Sequence, residues 1–309
     1  MPVVLQRLPA PEAPAPAPPS PLPGAVVTWT SPGGVTVPLT DPSLGWWVRT
    51  IEGLGSAPRS LTIAPRAQGG VRLRHQRLDV RRIILGIVVV GATPAEIDDR
   101  WRHIEAAIAS TDVDRPGVLT VAYPGRRRHI DAYYESGLDR RAEGAVGYDA
   151  DAVTLMCPDP LWRADPIVIE WTHEEPVDFF ADDYPALSSS AIAGAREVHS
   201  PGDVPAMPTT YITGPVTQLT AAIDQGAWHR QYTVTPPSPL GVGETMTITA
   251  DPIAVIGPGG ELWTEAIDWS TGRPWPIPPG RATVTITATG AVPGATQVRM
   301  VWAPRYRVP

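Results

Sequence analysis

A chain of 309 residues, 43% apolar and 18% charged, has room for two domains with ordinary cores. It contains no apolar run long enough to span a bilayer, and its start lacks the basic-then-apolar pattern of a secretory signal. A net charge of -7 argues against a general nucleic-acid binder, which is normally basic. The single cysteine, Cys157, excludes an intrachain disulfide framework and any cysteine-based zinc site.

Residues 1–24 are rich in Pro and Ala and favour an extended, polyproline-like arm or tail. From residue 25 the chain reads as short strands. Val26–Thr28–Trp29 and Val35–Val37–Leu39 flank Ser31-Pro32-Gly33-Gly34, which is hairpin chemistry. Trp46-Trp47-Val48 and residues 60–63 are further strands, with residues 53–55 and 68–70 as loops. Residues 83–90 form a nearly continuous β-branched run stopped by Gly91, which suggests a strand buried on both faces.

Thr93-Pro94-Ala95-Glu96 then has the form of a capping box, with Thr as cap, Pro at the first helical position and Glu three residues on. Ile97, Trp101, Ile104 and Ile108 follow at spacings of four, three and four, one stripe of a helix. Ile83, Ile84, Val88 and Val90, with that helical stripe, are the candidate core or subunit-interface residues. Arg115-Pro116-Gly117 turns the chain into a strand at residues 118–123, and residues 128–134 and 152–157 add two more.

The acidic stretch at residues 173–187, followed by a small polar one at residues 188–195, reads as a linker. The domain expectation is therefore an arm at 1–24, a first domain at 25–172, a linker at 173–200 and a second domain at 201–309. Beyond Met207, apolar-polar alternations recur about every ten residues, most strictly in Ala282-Thr283-Val284-Thr285-Ile286-Thr287. This is the pattern of an antiparallel β-sandwich. The fold class expected is mainly β, with an α+β first domain carrying one amphipathic helix.

Catalytic motifs are missing. There is no G-x-S-x-G elbow, phosphate-binding loop, G-x-G-x-x-G or H-E-x-x-H, and the six histidines have no metal-ligand spacing. No catalytic, cofactor-binding or metal residue is assigned and no cofactor is expected. Arg126-Arg127-Arg128 beside Tyr123 and Tyr133 reads as a turn at a protein interface. Trp263, Trp269 and Trp275 lie in a Gly-Pro-rich region; they are core or interface residues, or a partner- or glycan-stacking platform.

With both halves read, the chain resembles the distal tail proteins of long-tailed bacteriophages and related tail-like particles. In the first half the resemblance rests on residues 82–91, the capped helix, Pro116-Gly117-Val118-Leu119, residues 128–134 and Cys157-Pro158-Asp159-Pro160-Leu161-Trp162. In the second half it rests on residues 201–208, Ile212-Thr213-Gly214-Pro215-Val216, residues 243–248 and residues 275–280. Order and spacing carry it rather than any one phrase. The Pro-Ala arm departs from the family's usual start.

The resemblance implies a non-enzymatic virion component at the distal end of the tail. Its first domain would build a ring, as a homohexamer, that caps the tail tube. Its second, galectin-like sandwich would project outward. Implied partners are further copies of itself, the tail tube protein, hub or tail-tip proteins, and the tape measure protein or fibres. DNA would pass through the ring unbound, and no membrane insertion is implied. The alternative is a carbohydrate-binding module for host cell-wall glycans, and after that a glycan hydrolase.

Overall fold

The computed structural model describes residues 24–139, 147–172 and 191–309, and the chain divides into two compact units. The first comprises residues up to Pro160 together with Val308 and Pro309, and the second runs from Leu161 to Arg307. The expected Pro-Ala arm lies, but for Gly24, outside the described residues.

In the first unit the strands are β1 (Val26–Thr30), β2 (Thr36–Pro38), β3 (Trp46–Glu52), β4 (Arg59–Pro65), β5 (Val71–Leu78) and β6 (Arg81–Gly91). The helix α1 (Pro94–Ile108) follows, then β7 (Gly117–Tyr123), β8 (Arg126–Gly137) and β9 (Gly147–Cys157). Seven of the strands form one antiparallel path, β2-β1-β7-β8-β9-β6-β3. The twelve-residue β8 carries the bend: its first half pairs with β7 and its second with β9, with a bulge between Tyr134 and Ser136. At the ends of the path, Val48 N donates to the Leu39 carbonyl at 2.5 Å.

The helix forms where the sequence places it. Thr93 Oγ1 accepts from Glu96 N at 3.2 Å, and the Glu96 carboxylate reaches back to Ala92 N at 2.8 Å. Arg100 pairs with Glu96 and Arg102 with Asp98, both one turn apart. Ile97, Trp101, Ile104 and Ile108 are all buried, and α1 packs on β6, β9 and β1. Trp29 Nε1 donates to the Ala107 carbonyl at 2.9 Å, and Trp101 Nε1 to Asp149 at 3.1 Å.

The expectation that residues 83–90 are buried on both faces needs correction. Ile83, Leu85 and Ile87 are enclosed, but Ile84 is 36% exposed and Val90 half-buried. Only Ile87, Val88 and Val89 form an unbroken buried run. The cause is the antiparallel surroundings: β6 lies between β3 and β9, and its outer face is covered only near its end. There the chain turns back through Gly91 against Ile97, and Arg100 donates to the Val90 carbonyl.

Arg81, at the head of β6, is 1% exposed. Its Nε donates to the Pro160 carbonyl at 2.8 Å, and its Nη1 to the carbonyls of Gly53 at 2.5 Å and Gly55 at 2.7 Å. Burial pulls its pKa below the ordinary value, yet a guanidinium stays protonated. Its strand partner Cys157 is enclosed, and desolvation pushes the thiol up to about 12.

The second unit contains β10 (Trp162–Arg163), β11 (Ile167–Thr172), β12 (Ala191–Ser200), β13 (Thr209–Thr213), β14 (Gln218–Gln225) and β15 (Trp228–Val234). It continues with β16 (Thr245–Ala250), β17 (Ile253–Ile256), β18 (Gly280–Thr289), β19 (Gln297–Trp302) and β20 (Arg305–Tyr306). A five-stranded sheet, β11-β19-β13-β16-β17, and a four-stranded one, β12-β18-β14-β15, share a single hydrophobic core. Ile212, Met246, Ile248, Val298 and Met300 come from one sheet, and Leu219, Ile223, Val284 and Ile286 from the other. The sandwich read from alternation is therefore present, within a mainly β chain that has one α-helix among its described residues.

The expected domain limits shift. β11 falls within the stretch assigned to the first domain, and β12 within the expected linker, yet each is a full strand of the sandwich. β12 pairs with β18 over ten residues although it is rich in Ala and Gly; its ladder is held by backbone hydrogen bonds. The rest of the expected linker, residues 173–190, lies outside the described residues.

Two outcomes follow from this core. Replacing Arg81 by Met leaves the buried Pro160 carbonyl and the part-buried carbonyls of Gly53 and Gly55 short of a donor and is expected to cost about 2–3 kcal/mol, against about 1 kcal/mol for Thr93→Ala at the helix cap; urea unfolding measures both. Cys157 and Tyr232, whose hydroxyl burial also pushes up to about 12, hold their protons in the folded chain above the pH at which they lose them unfolded. Their contribution is fully present below about pH 9 for the thiol, and is lost as pH rises toward 12. Unfolding midpoints against pH are expected to fall across that window, less steeply in Cys157→Ala.

Candidate functional site

Among the described residues of the first unit, a β-hairpin carries a group of exposed apolar side chains. β4 and β5 pair only with each other, and every residue of β5 is exposed. The tip closes through Arg66 and Gly70, with Gly69 and Gly70 both at positive φ, a conformation that glycine adopts without strain. The root closes through Asp79 N to the Pro58 carbonyl at 2.9 Å. An isolated two-stranded hairpin is marginal in water, and this one hides little of its own apolar surface.

Register decides what it shows. Leu61 pairs with Gln76, Ile63 with Leu73, Pro65 with Val71 and Arg59 with Leu78; Thr62 pairs with His75, and Arg74 is the extra residue of a bulge. The bulge shifts the alternation by one, so that Val71 and Leu73 before it share a face with Leu78 after it. Leu61, Ile63, Val71, Leu73 and Leu78 therefore all lie on one face, and they are 40–57% exposed. The other face carries Arg72, His75 and Arg77 beside Ser60 and Thr62. Full burial of such an aliphatic side chain is worth roughly 1.5–3 kcal/mol, and about half of that is still unrealised here. A patch of this kind marks an interaction surface.

The residues singled out from sequence divide into core and surface. Ile83, Val88, Ile97, Trp101, Ile104 and Ile108 are core, Val90 is half-buried, and Ile84 faces outward. The three tryptophans do not form one platform. Trp275 is 2% exposed, packs against Tyr232 with ring centroids 5.8 Å apart, and donates to the Ala221 carbonyl at 3.4 Å. Trp263 is half-buried against the sandwich core and lines a concavity of about 490 Å³ with Leu262 and Glu265. Trp269 is 55% exposed in the loop after Ile267.

A second groove, of about 600 Å³, runs beside β15, lined by Trp228, Arg230 and Arg273 with Trp275 beneath. The Arg230 guanidinium lies 5.7 Å from the Trp228 ring centroid and so occupies the neighbourhood a sugar would stack on. Of the arginine cluster, Arg126 sits over the Tyr123 ring at 4.6 Å, and Arg128 donates to the Val308 carbonyl at 2.6 Å. His229 and Asp224 meet at 2.5 Å on an exposed strand end. Among the described residues no group of three or more His, Cys, Asp or Glu is placed to hold a metal ion, and no helix is long and apolar enough to cross a membrane.

Sequence reasoning missed the hairpin's second strand. The signal was present: Val71-Arg72-Leu73-Arg74 alternates behind a Gly-Gly turn. The bulge then breaks the period, and a strand with no core face does not stand out from a loop.

No family model matches the chain, and no curated protein matches it. Among solved structures, the Dit protein of phage SPP1 matches at 11% identity with a TM-score of 0.62, over 91% of this chain and 98% of that one. The fold is that of SPP1 Dit. That structure is described as a paradigm of the hub adsorption apparatus of phages infecting Gram-positive bacteria. Two structures of the phage P2 baseplate in its activated conformation, with Ca and with Sr, also match at 10% identity, with TM-scores of 0.44 and 0.46 over 87% of this chain. A likeness covering 91% of this chain reaches into both units.

The separation of the tryptophans has a direct check. Trp275→Ala is expected to destabilise the sandwich by about 3–5 kcal/mol, whereas Trp269→Ala should change stability by less than about 0.5 kcal/mol. Equal effects in thermal unfolding would contradict the placement.

Proposed function

We propose that this chain is a structural component of the distal end of a bacteriophage tail, where copies of its first unit form a ring. The observation that carries the reading is the Dit-like fold over nearly the whole of both chains. The ring would be a homohexamer that caps the tail tube and joins it to hub or tail-tip proteins, leaving a channel through which DNA passes unbound. The role is non-catalytic, in keeping with the structural phage proteins that share its architecture. The exposed apolar face of the hairpin supports the reading, because a subunit of a ring carries surface that only assembly covers. The sandwich would project outward to meet a fibre or tip protein. Fold likeness favours this reading over a glycan-binding one, and the burial of Trp275 removes one ring from the stacking platform which that alternative needs.

The native mass of the purified protein over a range of concentrations, alone and with tail tube protein, tests the reading. Six copies of the 33.1 kDa chain give a species of about 199 kDa. A strict monomer at every concentration, with and without the tube protein, would overturn the proposal.

A further inference from the structure

We infer that the groove beside β15 takes an extended acidic segment of a partner protein, which pairs with the open edge of that strand and lays its carboxylates against Arg230 and Arg273. The inference rests on the tail-tip reading only for who the partner is. The groove itself stands on two observations within the second unit.

The first is an edge left half open. β15 is the last strand of its sheet, so one side of its backbone has no strand partner. The later part of that side is covered from within the unit: Asp268 N donates to the Thr233 carbonyl at 2.9 Å, and Thr235 N to the Ala266 carbonyl at 2.8 Å. Thr233 and Thr235 therefore turn their backbone groups outward. In an antiparallel ladder alternate residues do the same, which puts those of His229 and Gln231 outward as well. Gly272 lies so close to the Gln231 carbonyl that a β-carbon would collide with it, and there the cover ends. Before that point the edge is bare. The outward N–H groups of His229 and Gln231 meet no acceptor among the described residues, and the His229 carbonyl is held only by the Arg230 guanidinium, at 3.1 Å. A bare edge of this kind can add a strand.

The second observation is the lining. The ionisable groups along the groove are His229, Arg230 and Arg273, with no carboxylate among them. Neither arginine forms an ion pair with a described residue, whereas the exposed His229 is matched to Asp224. The chain as a whole carries a net charge of -7, so this is a basic recess in an acidic molecule. Charges more than about 8 Å away are screened at physiological ionic strength, and the guanidiniums of the groove decide what settles there. Their forked donors match carboxylates. An extended chain with acidic residues at alternate positions presents them all on one side, which suits a strand pairing with β15 beside both arginines.

The test follows the fluorescence polarisation of a labelled eight-residue peptide alternating valine and aspartate, titrated with the full chain; thermal unfolding first establishes that each variant is folded. The peptide should bind at least about tenfold more tightly than its counterpart with asparagine for aspartate, and lose that margin between 0.1 and 1 M salt. Arg273→Gln should weaken it roughly tenfold, the worth of one charged hydrogen bond. His229→Pro takes away an outward N–H but leaves the ladder with β14 intact, and should weaken binding roughly fivefold. Equal affinity for the two peptides would overturn the inference. Full binding by His229→Pro would do the same, since charge alone would then hold the peptide. If an oligogalacturonate binds through Arg273 and the acidic peptide does not, the groove takes an anionic sugar and the inference fails. None of these outcomes bears on native mass, so the groove can fail while the tail reading stands, and a strict monomer that binds the peptide would sink the tail reading alone.

Discussion

A single guanidinium holds the root of the first unit. Arg81 enters β6 in a position closed to water, and its donors are taken up by main-chain carbonyls from two distant stretches: Gly53 and Gly55 before the hairpin, and Pro160 at the end of the unit. Burying a charge is costly unless its hydrogen bonds are satisfied; once they are, removing it is costlier than keeping it. The loop it grips is tight for the same reason. Gly53 sits at φ +83 with its α-carbon so near the Arg82 carbonyl that a side chain would collide with backbone. The hairpin thus leaves the body from a clamped base, although nothing in its own two strands would fix its direction.

Around that base the fold is built to be stiff. The bend in β8 lets one strand serve two pairings, and α1 closes over the far end of β6 through Trp29, Trp101 and Ile104. Gly117 lies against the Trp29 ring with no room for a β-carbon, so this glycine is set by packing rather than by its backbone angles. The sandwich achieves its own rigidity differently, by interleaving two sheets over one dry core. What distinguishes the molecule chemically is outside both cores. Among the described residues no group of three or more His, Cys, Asp or Glu is placed to hold a metal ion, and the exposed features include apolar, basic and aromatic surfaces suited to other macromolecules.

Much of this was legible in the residues where local and tertiary preferences agree. Thr93, Pro94 and Glu96 announce the helix, and Ile97, Trp101, Ile104 and Ile108 announce its buried stripe, because capping and amphipathicity are short-range properties. The threonine alternation in β18 announces a half-buried strand. What escaped depends on pairing at long range. β12 is Ala- and Gly-rich and has no apolar period, yet it is ten residues of ladder because β18 lies beside it. β5 escaped because its bulge breaks the alternation and because its apolar side has no core of its own to face. The same absence that hid it from a sequence reading is what makes it a surface of interest.

Cys157 has a practical meaning in this setting. It is the chain's sole thiol, enclosed in β9 and held protonated far above neutral pH, so it is a poor nucleophile toward alkylating reagents. A cysteine introduced at an exposed position, such as the hairpin tip or the loop carrying Trp269, would therefore be the one group a maleimide dye or crosslinker reaches. The native background is silent without any need to mutate it, which leaves the fold intact as a frame for measuring distances between neighbouring copies.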